Sequence, residues 1–351
     1  MNRKRMKWWV LLGAPLLFIL PITHWKITGQ QFRSIITQPQ KTGITTLHFF
    51  DSARERPVVT EVWYPIDPHI DASPPAGIWI RCDEARDAPL SQAQEKYPLI
   101  VMSHGNGCDR YNIAWLAEIL ASNGYIVAAM DHYGNTWNNK IPASFLKLWE
   151  RPKDVTYVLD EIMQHPLFQD KINEKKIGFA GFSLGGATGM WVAGAQISHI
   201  PLKEIEQICA KEMPEIVSQD VLASVDLSEV QYSYMDKRVS AILAIAPALG
   251  WLFDETSLKM IDIPVYIVAV GKDRIVPIEK NAKIFAKSIS NATLKVVHNE
   301  ADHYVFLNRP SLLGKRLMAP RFCEDPSNVD RKQIHEVVGK EAVRFFDAQL
   351  Q

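Results

Sequence analysis

The stretch Lys176-Ile-Gly-Phe-Ala-Gly-Phe-Ser-Leu-Gly-Gly186 decides the fold of this chain. An apolar run typical of a buried strand ends there in Gly-x-Ser-x-Gly, with Ser183 at the point where the strand pattern stops. Residues Ala187–Val192 can then continue as a helix. Gly181 and Gly185 leave room for a tight strand-to-helix turn, because a side chain there would strike the neighbouring strand or the following helix. The pattern therefore predicts that Ser183 is lifted out of a sheet as a nucleophile.

Two candidate partners for this serine lie downstream, after further strand patterns. Ile263–Val270 is a β-branched, apolar run of the buried parallel type, and Asp273 follows its end. A second strand pattern, Leu294–His298, precedes His303. If these strands are neighbours, His303 lies beside Asp273 and can act as the base, while Asp273 holds its imidazole. His298 is the alternative base, but its place within the strand pattern favours a packed, structural role.

A fourth signal lies upstream of the serine. Tyr97–Ser103 has the pattern of a strand, and His104-Gly-Asn-Gly107 follows it directly. Acyl transfer places negative charge on the carbonyl oxygen, which two preorganised N–H groups must receive. We expect one from the backbone of Leu184, the residue after the nucleophile, and the other from the backbone of Asn106. His104 is expected to support this turn by a hydrogen bond.

Taken together, these motifs resemble a known superfamily. They are Val62–Pro65, His104–Gly107, Asp131–Thr136, Gly181–Gly186, Gly271–Asp273 and Asp302–His303. This set resembles the α/β-hydrolase superfamily, and within it the dienelactone-hydrolase-like and platelet-activating-factor acetylhydrolase-like serine esterases. The chain order Ser, Asp, His is the order that α/β-hydrolases use. The resemblance covers about residues 44 to 350 and implies a carboxylic-ester hydrolase that acts through an acyl-enzyme.

Two departures from these families limit what the resemblance implies. Dienelactone hydrolases use a cysteine nucleophile, whereas this chain has Ser183, so a dienelactone substrate is not implied. In the platelet-activating-factor enzymes the acid follows the strand after the elbow. The corresponding stretch here, Ile242–Pro247, contains no carboxylate. The predicted acid is therefore Asp273.

Strand and helix patterns alternate along the remaining chain. Such alternation predicts an α/β-hydrolase fold with a mostly parallel, doubly wound sheet and ligands at the strand carboxyl ends. Ile44–Phe50 and Val58–Tyr64 are predicted to form an antiparallel pair, and Ile66–Lys96 a surface excursion. An insertion at about residues 196–238 is expected to form a helical lid.

Several side chains are expected at the rim of the sheet. Asp131 and His132 follow a strand pattern and should shape the site, and direct contact with the substrate is the alternative. The loop Trp137–Trp149 brings Trp137, Phe145 and further aromatic or apolar residues to the same edge. Packing and lining of an acyl pocket both remain open for them.

The N-terminus has a different pattern. Arg3, Lys4, Arg5 and Lys7 precede the uncharged apolar run Trp8–Ile22, which is typical of an export signal. We therefore predict a signal anchor or signal peptide at residues 1–27, a linker at 28–43 and the catalytic domain at 44–351. The positive-inside rule would place that domain outside the cytoplasm, in the periplasm or the extracellular space, attached to the membrane or exported.

Composition excludes several function classes. The 351 residues carry equal numbers of acidic and basic side chains, with no basic patch beyond the extreme N-terminus, so no nucleic-acid partner is expected. Gly105 and Gly107 are wrongly spaced for a phosphate-binding loop, and metal-ligand spacing is absent, so neither a cofactor nor a metal is expected. The expected partner is a small-molecule or lipid ester. The alternatives are a lipid-directed acyl hydrolase and a non-catalytic binding protein on the same fold.

Export would also allow disulfides to form. Cys209 lies in the predicted lid and Cys323 in a proline-bounded loop after the histidine region. A bridge between them would hold the lid over Ser183, whereas the pairing of Cys82 with Cys108 is less favoured. Four free thiols are the alternative.

Overall fold

A nine-stranded sheet forms the centre of the protein in this computed structural model, which describes Ile35, residues 40–197, Gln207 and residues 216–350. The strands are β1 Thr42–Asp51, β2 Arg56–Tyr64, β3 Glu84–Arg86, β4 Tyr97–Ser103, β5 Ile126–Met130, β6 Ile172–Phe182, β7 Val239–Ile245, β8 Val265–Val270 and β9 Ala292–His298. Their order across the sheet is β3-β1-β2-β5-β4-β6-β7-β8-β9. Only β1 with β2 and β2 with β5 pair antiparallel among these strands. The predicted mostly parallel sheet is therefore confirmed.

Helices cover both faces of this sheet. They are α1 Ala114–Ser122, α2 Glu150–Gln164, α3 Leu184–Val192, α4 Gln219–Ser224, α5 Glu255–Lys259, α6 Ala282–Ser288, α7 Leu312–Leu317, α8 Pro320–Cys323 and α9 Arg331–Gln349, with short 3-10 turns at Pro142–Phe145, Ser228–Gln231, Ile278–Lys280 and His303–Phe306. Successive residues of β4 face opposite sides: Leu99 packs with α2, α3 and α6, and Ile100 packs with α1 and α9. Apolar strands buried on both faces are what a doubly wound fold requires.

The strand order reverses at β4, and this reversal positions the site. β4 pairs in parallel with β5 on one side and with β6 on the other. The chain segments that leave β4 and β6 therefore emerge side by side at the carboxyl edge of the sheet. In open α/β sheets, ligands bind at such a switch point.

The start of β1 and the presence of β3 differ from expectation. β1 begins at Thr42, inside the predicted linker, because Thr42–Ile44 pairs with β3. β3 is an edge strand of three residues inside the predicted surface excursion, too short to give a strand pattern in the sequence. The pair formed by β1 and β2 is antiparallel, as predicted.

The described part of the insertion consists of α4 and one 3-10 turn. Val217 and Leu222 pack with Phe145 and Leu146 in a small apolar cluster. Residues 198–206 and 208–215 lie outside the described residues. So does the predicted signal segment, residues 1–27. In the described ranges, no helix combines the length and the apolar character that a bilayer span requires.

The expected disulfide is not formed. Cys323 is a free thiol in α8, and its Sγ lies 3.6 Å from the carbonyl oxygen of Gly314. Cys209 lies outside the described residues. Cys82 and Cys108 are also free thiols, so the second pairing is not formed either.

Candidate active site

Ser183 occupies a strained turn between β6 and α3. Its backbone has φ 56° and ψ −117°, a region that non-glycine residues rarely adopt. Neighbouring backbone holds it there, since its N–H donates to the Ile245 carbonyl at 2.8 Å and its carbonyl accepts from Ala248 at 3.0 Å. A Cβ on Gly181 would overlap the Gly185 carbonyl, as the sequence predicted. The turn therefore needs its glycines, and it places the serine at the carboxyl end of β6.

The structure brings Ser183, His303 and Asp273 into one hydrogen-bonded chain. His303 Nε2 lies 3.0 Å from Ser183 Oγ, and His303 Nδ1 lies 2.7 Å from Asp273 Oδ2. A carboxylate only accepts, so the imidazole proton lies on Nδ1 and Nε2 accepts from the serine hydroxyl. This is the tautomer that a general base requires.

Backbone groups and an ion pair fix the two loops that carry the acid and the base. Asp273 Oδ1 accepts the N–H groups of Ile275 at 3.1 Å and Val276 at 2.6 Å, which leaves Oδ2 for the histidine. Asp302 accepts the N–H of His303 at 2.8 Å and caps the 3-10 turn that begins there.

Asp302 also joins its own loop to the acid loop. It accepts the backbone N–H of Arg274 at 3.0 Å and the Arg274 Nε at 2.6 Å. These bonds hold the pKa of Asp302 below its usual value despite the opposing effect of burial. The Arg274–Asp302 pair thus runs parallel to the Asp273–His303 hydrogen bond and ties the same two loops.

The predicted oxyanion donors lie on adjoining segments. Gly105–Cys108 forms a turn in which the Cys108 N–H donates to the Gly105 carbonyl at 3.2 Å. We call it the oxyanion turn; Asn106 and Gly107 are its central residues, and Gly107 has φ 63°. A Cβ on Gly105 would stand 3.3 Å from the Ser183 Cβ, so the turn passes beside the serine.

Leu184 is the first residue of α3 and therefore presents its N–H at the helix N-terminus. The roles of Leu184 and Asn106 as oxyanion donors remain predictions.

A second serine–histidine–aspartate arrangement lies buried beneath the first. His132 Nδ1 donates to Asp154 Oδ2 at 2.8 Å, and its Nε2 accepts from Ser103 Oγ at 2.8 Å. Burial, and the charges of Arg151 and other arginines, hold the pKa of His132 well below its ordinary value. Ser103, His132 and Asp154 are almost fully shielded from solvent, so this arrangement offers a substrate no access.

His104 supports the oxyanion turn in the way the sequence predicted. Its Nδ1 donates to the Gly105 carbonyl at 2.7 Å, and its Nε2 accepts the His132 N–H at 3.1 Å. Burial, together with the charge of Arg151, lowers the pKa of His104 well below its ordinary value. A neutral ring is the form that both hydrogen bonds require.

Other residues singled out in the sequence do not join the hydrogen-bonded chain of Ser183, His303 and Asp273. His298 lies in β9, where its Nδ1 accepts the Glu300 N–H at 3.1 Å, and the Asp273 carboxylate contacts His303 instead. Asp131 forms an ion pair with Arg110.

The aromatic residues of the loop 137–149 divide between packing and exposure. Phe145 and Trp149 are buried, whereas the Trp137 side chain is exposed and donates its indole N–H to Asp109 at 2.7 Å. Packing therefore accounts for Phe145 and Trp149, and Trp137 stays open to a ligand.

Sequence reasoning missed the polar residues beneath the oxyanion turn. Arg151 is only 2% exposed, and its guanidinium contacts Ser103, Asn135, Thr188 and the His104 carbonyl. Asn135 lies in the motif Asp131–Thr136, which could have indicated it. Arg151 lies in the charged first turn of α2, as a solvent-exposed arginine would. No local signal in the sequence indicates that it is buried.

A strained serine elbow, with its base and acid on loops after later strands of a mostly parallel sheet, defines the α/β-hydrolase class. Comparison with known proteins agrees with this class. The family model for platelet-activating factor acetylhydrolase, isoform II, matches residues 78–138. Platelet-activating factor acetylhydrolase of Bos taurus is 30% identical in an alignment of 138 residues, which covers 27% of this chain and 31% of the bovine protein.

A solved structure matches over a much larger part of the chain. Ferulic acid esterase from Streptomyces cinnamoneus superposes with a TM-score of 0.61 at 20% identity, covering 88% of this chain and 90% of that one. This likeness shows the α/β-hydrolase fold. The family model includes the oxyanion turn but ends before Ser183. Together, the comparisons confirm the resemblance to α/β-hydrolase serine esterases that the sequence motifs indicate.

Proposed function

We propose that this chain is a serine hydrolase of carboxylic esters. The observation that carries the proposal is the hydrogen-bonded chain from Asp273 through His303 to Ser183. A serine hydroxyl is a weak nucleophile until an oriented base takes its proton. The contacts of this site supply such a base, with an imidazole tautomer set by a carboxylate that backbone N–H groups hold in place.

The proposed reaction proceeds in two halves. Ser183 Oγ attacks the acyl carbon while its proton passes to His303 Nε2, and the N–H groups of Asn106 and Leu184 receive the negative charge on the oxygen. The tetrahedral intermediate collapses, the ester C–O bond breaks, and His303 returns the proton to the departing alcohol. Water then attacks the acyl-enzyme with His303 as base, and the carboxylic acid leaves while Ser183 regains its proton.

A lipid-directed acyl hydrolase is the second candidate. The matches to platelet-activating factor acetylhydrolases favour it. A further observation supports it, since Leu312 and Leu317 of α7, just after the His303 loop, are 89% and 67% exposed. The choice is tested by comparing hydrolysis rates on three substrates at equal concentrations: a short aryl ester, methyl ferulate and platelet-activating factor. Preference for platelet-activating factor in mixed micelles would favour the lipid-directed enzyme, and preference for methyl ferulate would contradict it.

Labelling with a fluorophosphonate probe tests the proposal directly. The probe should attach to Ser183, and Ser183→Ala should remove the label. Ser183→Ala, His303→Ala and the double variant should all fall to a similar residual rate on p-nitrophenyl acetate, because members of a triad act as one unit. Turnover that survives His303→Ala but is abolished by His298→Ala would make His303 the wrong base. A folded wild-type protein that neither turns over esters nor takes the label would be a binding protein.

We also propose that the N-terminal segment places this domain outside the cytoplasm. The basic residues before the apolar run support the proposal, through the positive-inside rule. A chain without residues 1–26 should remain folded and active, because the described sheet begins at Thr42. Protease added to intact cells with a permeable outer layer should digest the full-length protein; complete protection would contradict this location.

The insertion at residues 196–238 is proposed to act as the lid. The support is the apolar cluster in which Val217 and Leu222 of the insertion pack with Phe145. The Phe145 ring lies 3.6 Å from the position that a Cβ on Gly107 would take. Because Gly107 belongs to the oxyanion turn, the insertion packs on a residue beside the site. Phe145→Ala should therefore change the preferred acyl-chain length. An unchanged preference would contradict a role of the insertion in substrate selection.

A further inference from the structure

The Asn135 side chain holds the oxyanion turn from beneath. It is 1% exposed, and its Oδ1 accepts the Gly107 N–H at 3.2 Å. Its Nδ2 donates to Asn106 Oδ1 at 2.9 Å. One amide therefore contacts both central residues of the turn.

Arg151 determines which way that amide faces. Its Nη1 donates to Asn135 Oδ1 at 2.9 Å, so this atom must be the acceptor and the amide nitrogen must face Asn106. The same guanidinium donates to Thr188 Oγ1 at 3.2 Å and to the His104 carbonyl. Thr188 belongs to α3 and His104 precedes the oxyanion turn. One buried cation therefore ties together the two segments that carry the predicted oxyanion donors.

We propose that Asn135 is a positioning residue for the oxyanion hole and that Arg151 orients its amide. This inference rests on the proposed function, because it requires the Asn106 N–H to act in the reaction. An N–H group stabilises developing charge only if it is already aimed at the oxyanion. A short turn that contains a glycine at positive φ has other backbone conformations within reach. The Asn135 hydrogen bonds select one of them.

Asn135→Ala tests this role through a separation of kcat from KM. On p-nitrophenyl acetate, kcat should fall about 10- to 100-fold, less than or similar to the loss of a whole oxyanion donor, while KM changes less than about threefold. Phenylboronic acid adds to the serine as a tetrahedral adduct with an oxygen in the oxyanion hole. Its inhibition constant should therefore rise by the same factor as kcat/KM falls. A general loss of stability would not couple these two quantities.

Two further variants serve as rescue and control. Asn135→Asp keeps an oxygen that accepts from Gly107 and Arg151 but loses the donor to Asn106, so it should recover only part of the lost kcat. Asn138→Ala alters an exposed asparagine in the same loop, whose Oδ1 accepts from Thr136. It should keep the wild-type kcat and boronate affinity.

The outcomes separate this inference from the proposed function. Wild-type kcat and boronate affinity in Asn135→Ala, or an equal loss in Asn138→Ala, would overturn the positioning role. If Asn135→Ala does not fold, Asn106→Ala decides, because it removes the Oδ1 contact from an exposed residue but keeps the backbone N–H. It should lower kcat about 3- to 10-fold, and a wild-type kcat would overturn the inference. An inactive, unlabelled wild type would instead refute the proposed function itself.

Discussion

Two serines in similar hydrogen-bonded surroundings should respond in opposite ways to loss of the hydroxyl. Ser103 is fully buried, and its Oγ bonds His132 Nε2 at 2.8 Å and Arg151 Nη2 at 3.3 Å. Ser103→Ala leaves the His132 nitrogen in a dry interior without its donor. The free energy of unfolding should fall by about 1 to 3 kcal/mol, which is the cost of an unsatisfied buried polar group. The fluorophosphonate probe should still label Ser183.

Ser183→Ala is the matched change at the candidate active site. The residue keeps its backbone hydrogen bonds and its strained φ, so the free energy of unfolding should change by less than about 1 kcal/mol. Labelling should be lost. Urea unfolding followed by circular dichroism, with peptide mapping of the labelled protein, measures both quantities. Label on Ser103, or a Ser103→Ala protein of wild-type stability that no longer takes the label, would refute this assignment.

Three further changes test other parts of the structure. Gly185→Ala should destabilise the protein by more than about 3 kcal/mol in thermal unfolding, because the added Cβ would overlap the carbonyl oxygen of Ser103, a backbone atom that cannot move aside. Asp302→Asn should lower kcat/KM by no more than about fivefold, because it weakens an ion pair with the exposed Arg274, and such a pair is worth up to about 1 kcal/mol between the loops of the acid and the base. Burial lowers the pKa of His335 from 6.5 to about 3, so the stability gained from its neutral form is complete above pH 6.5 and is lost as the pH falls below it. At about pH 5.5 the loss is about 1.4 kcal/mol, and His335→Phe should remove that part of the pH dependence.

Controls for these three changes are present in the chain. Gly77 has no atom within 4 Å of an added Cβ, so Gly77→Ala should be tolerated. Glu300→Gln removes an exposed ion pair with Lys272 near the same loops and should leave kcat/KM unchanged. If His335→Phe unfolds with the same dependence on pH as the wild type, His335 does not stay neutral in the folded state.

The meeting of Ser183, Asp273 and His303 could be expected from the sequence because local patterns mark them. Ser183, Asp273 and His303 each follow a strand pattern, and the ends of parallel strands in a doubly wound sheet meet at one edge. The glycines at 181 and 185 are required by close backbone approach, which leaves a signature in the sequence. The type of each strand, the order of the three residues along the chain and their place at one edge of the sheet thus follow from short-range information in the sequence.

The supporting residues were decided by tertiary structure. Arg151 begins a helix as an ordinary polar residue would, yet it is buried because α2 packs against the ends of β4 and β5. The partners of Asn135 are separated from it by 16 to 29 residues, and no local pattern encodes those separations. The three residues of β3 form a strand because β1 pairs with them and Ser73 forms a bridge to Glu84.

The sequence by itself determined the α/β fold, the serine turn and the identity of its candidate partners, because these depend on periodicity and on glycine at positions without space for a side chain. The tertiary structure confirmed that Asp273 meets His303 and not His298, and it alone decided that a second, buried Ser103–His132–Asp154 arrangement lies below. It also decided that Cys323 is a free thiol. These outcomes depend on which side chains meet once the sheet and its helices have packed together. Hydrogen-bond partners in a dry interior are selected by distance in space, and distance along the chain does not constrain them.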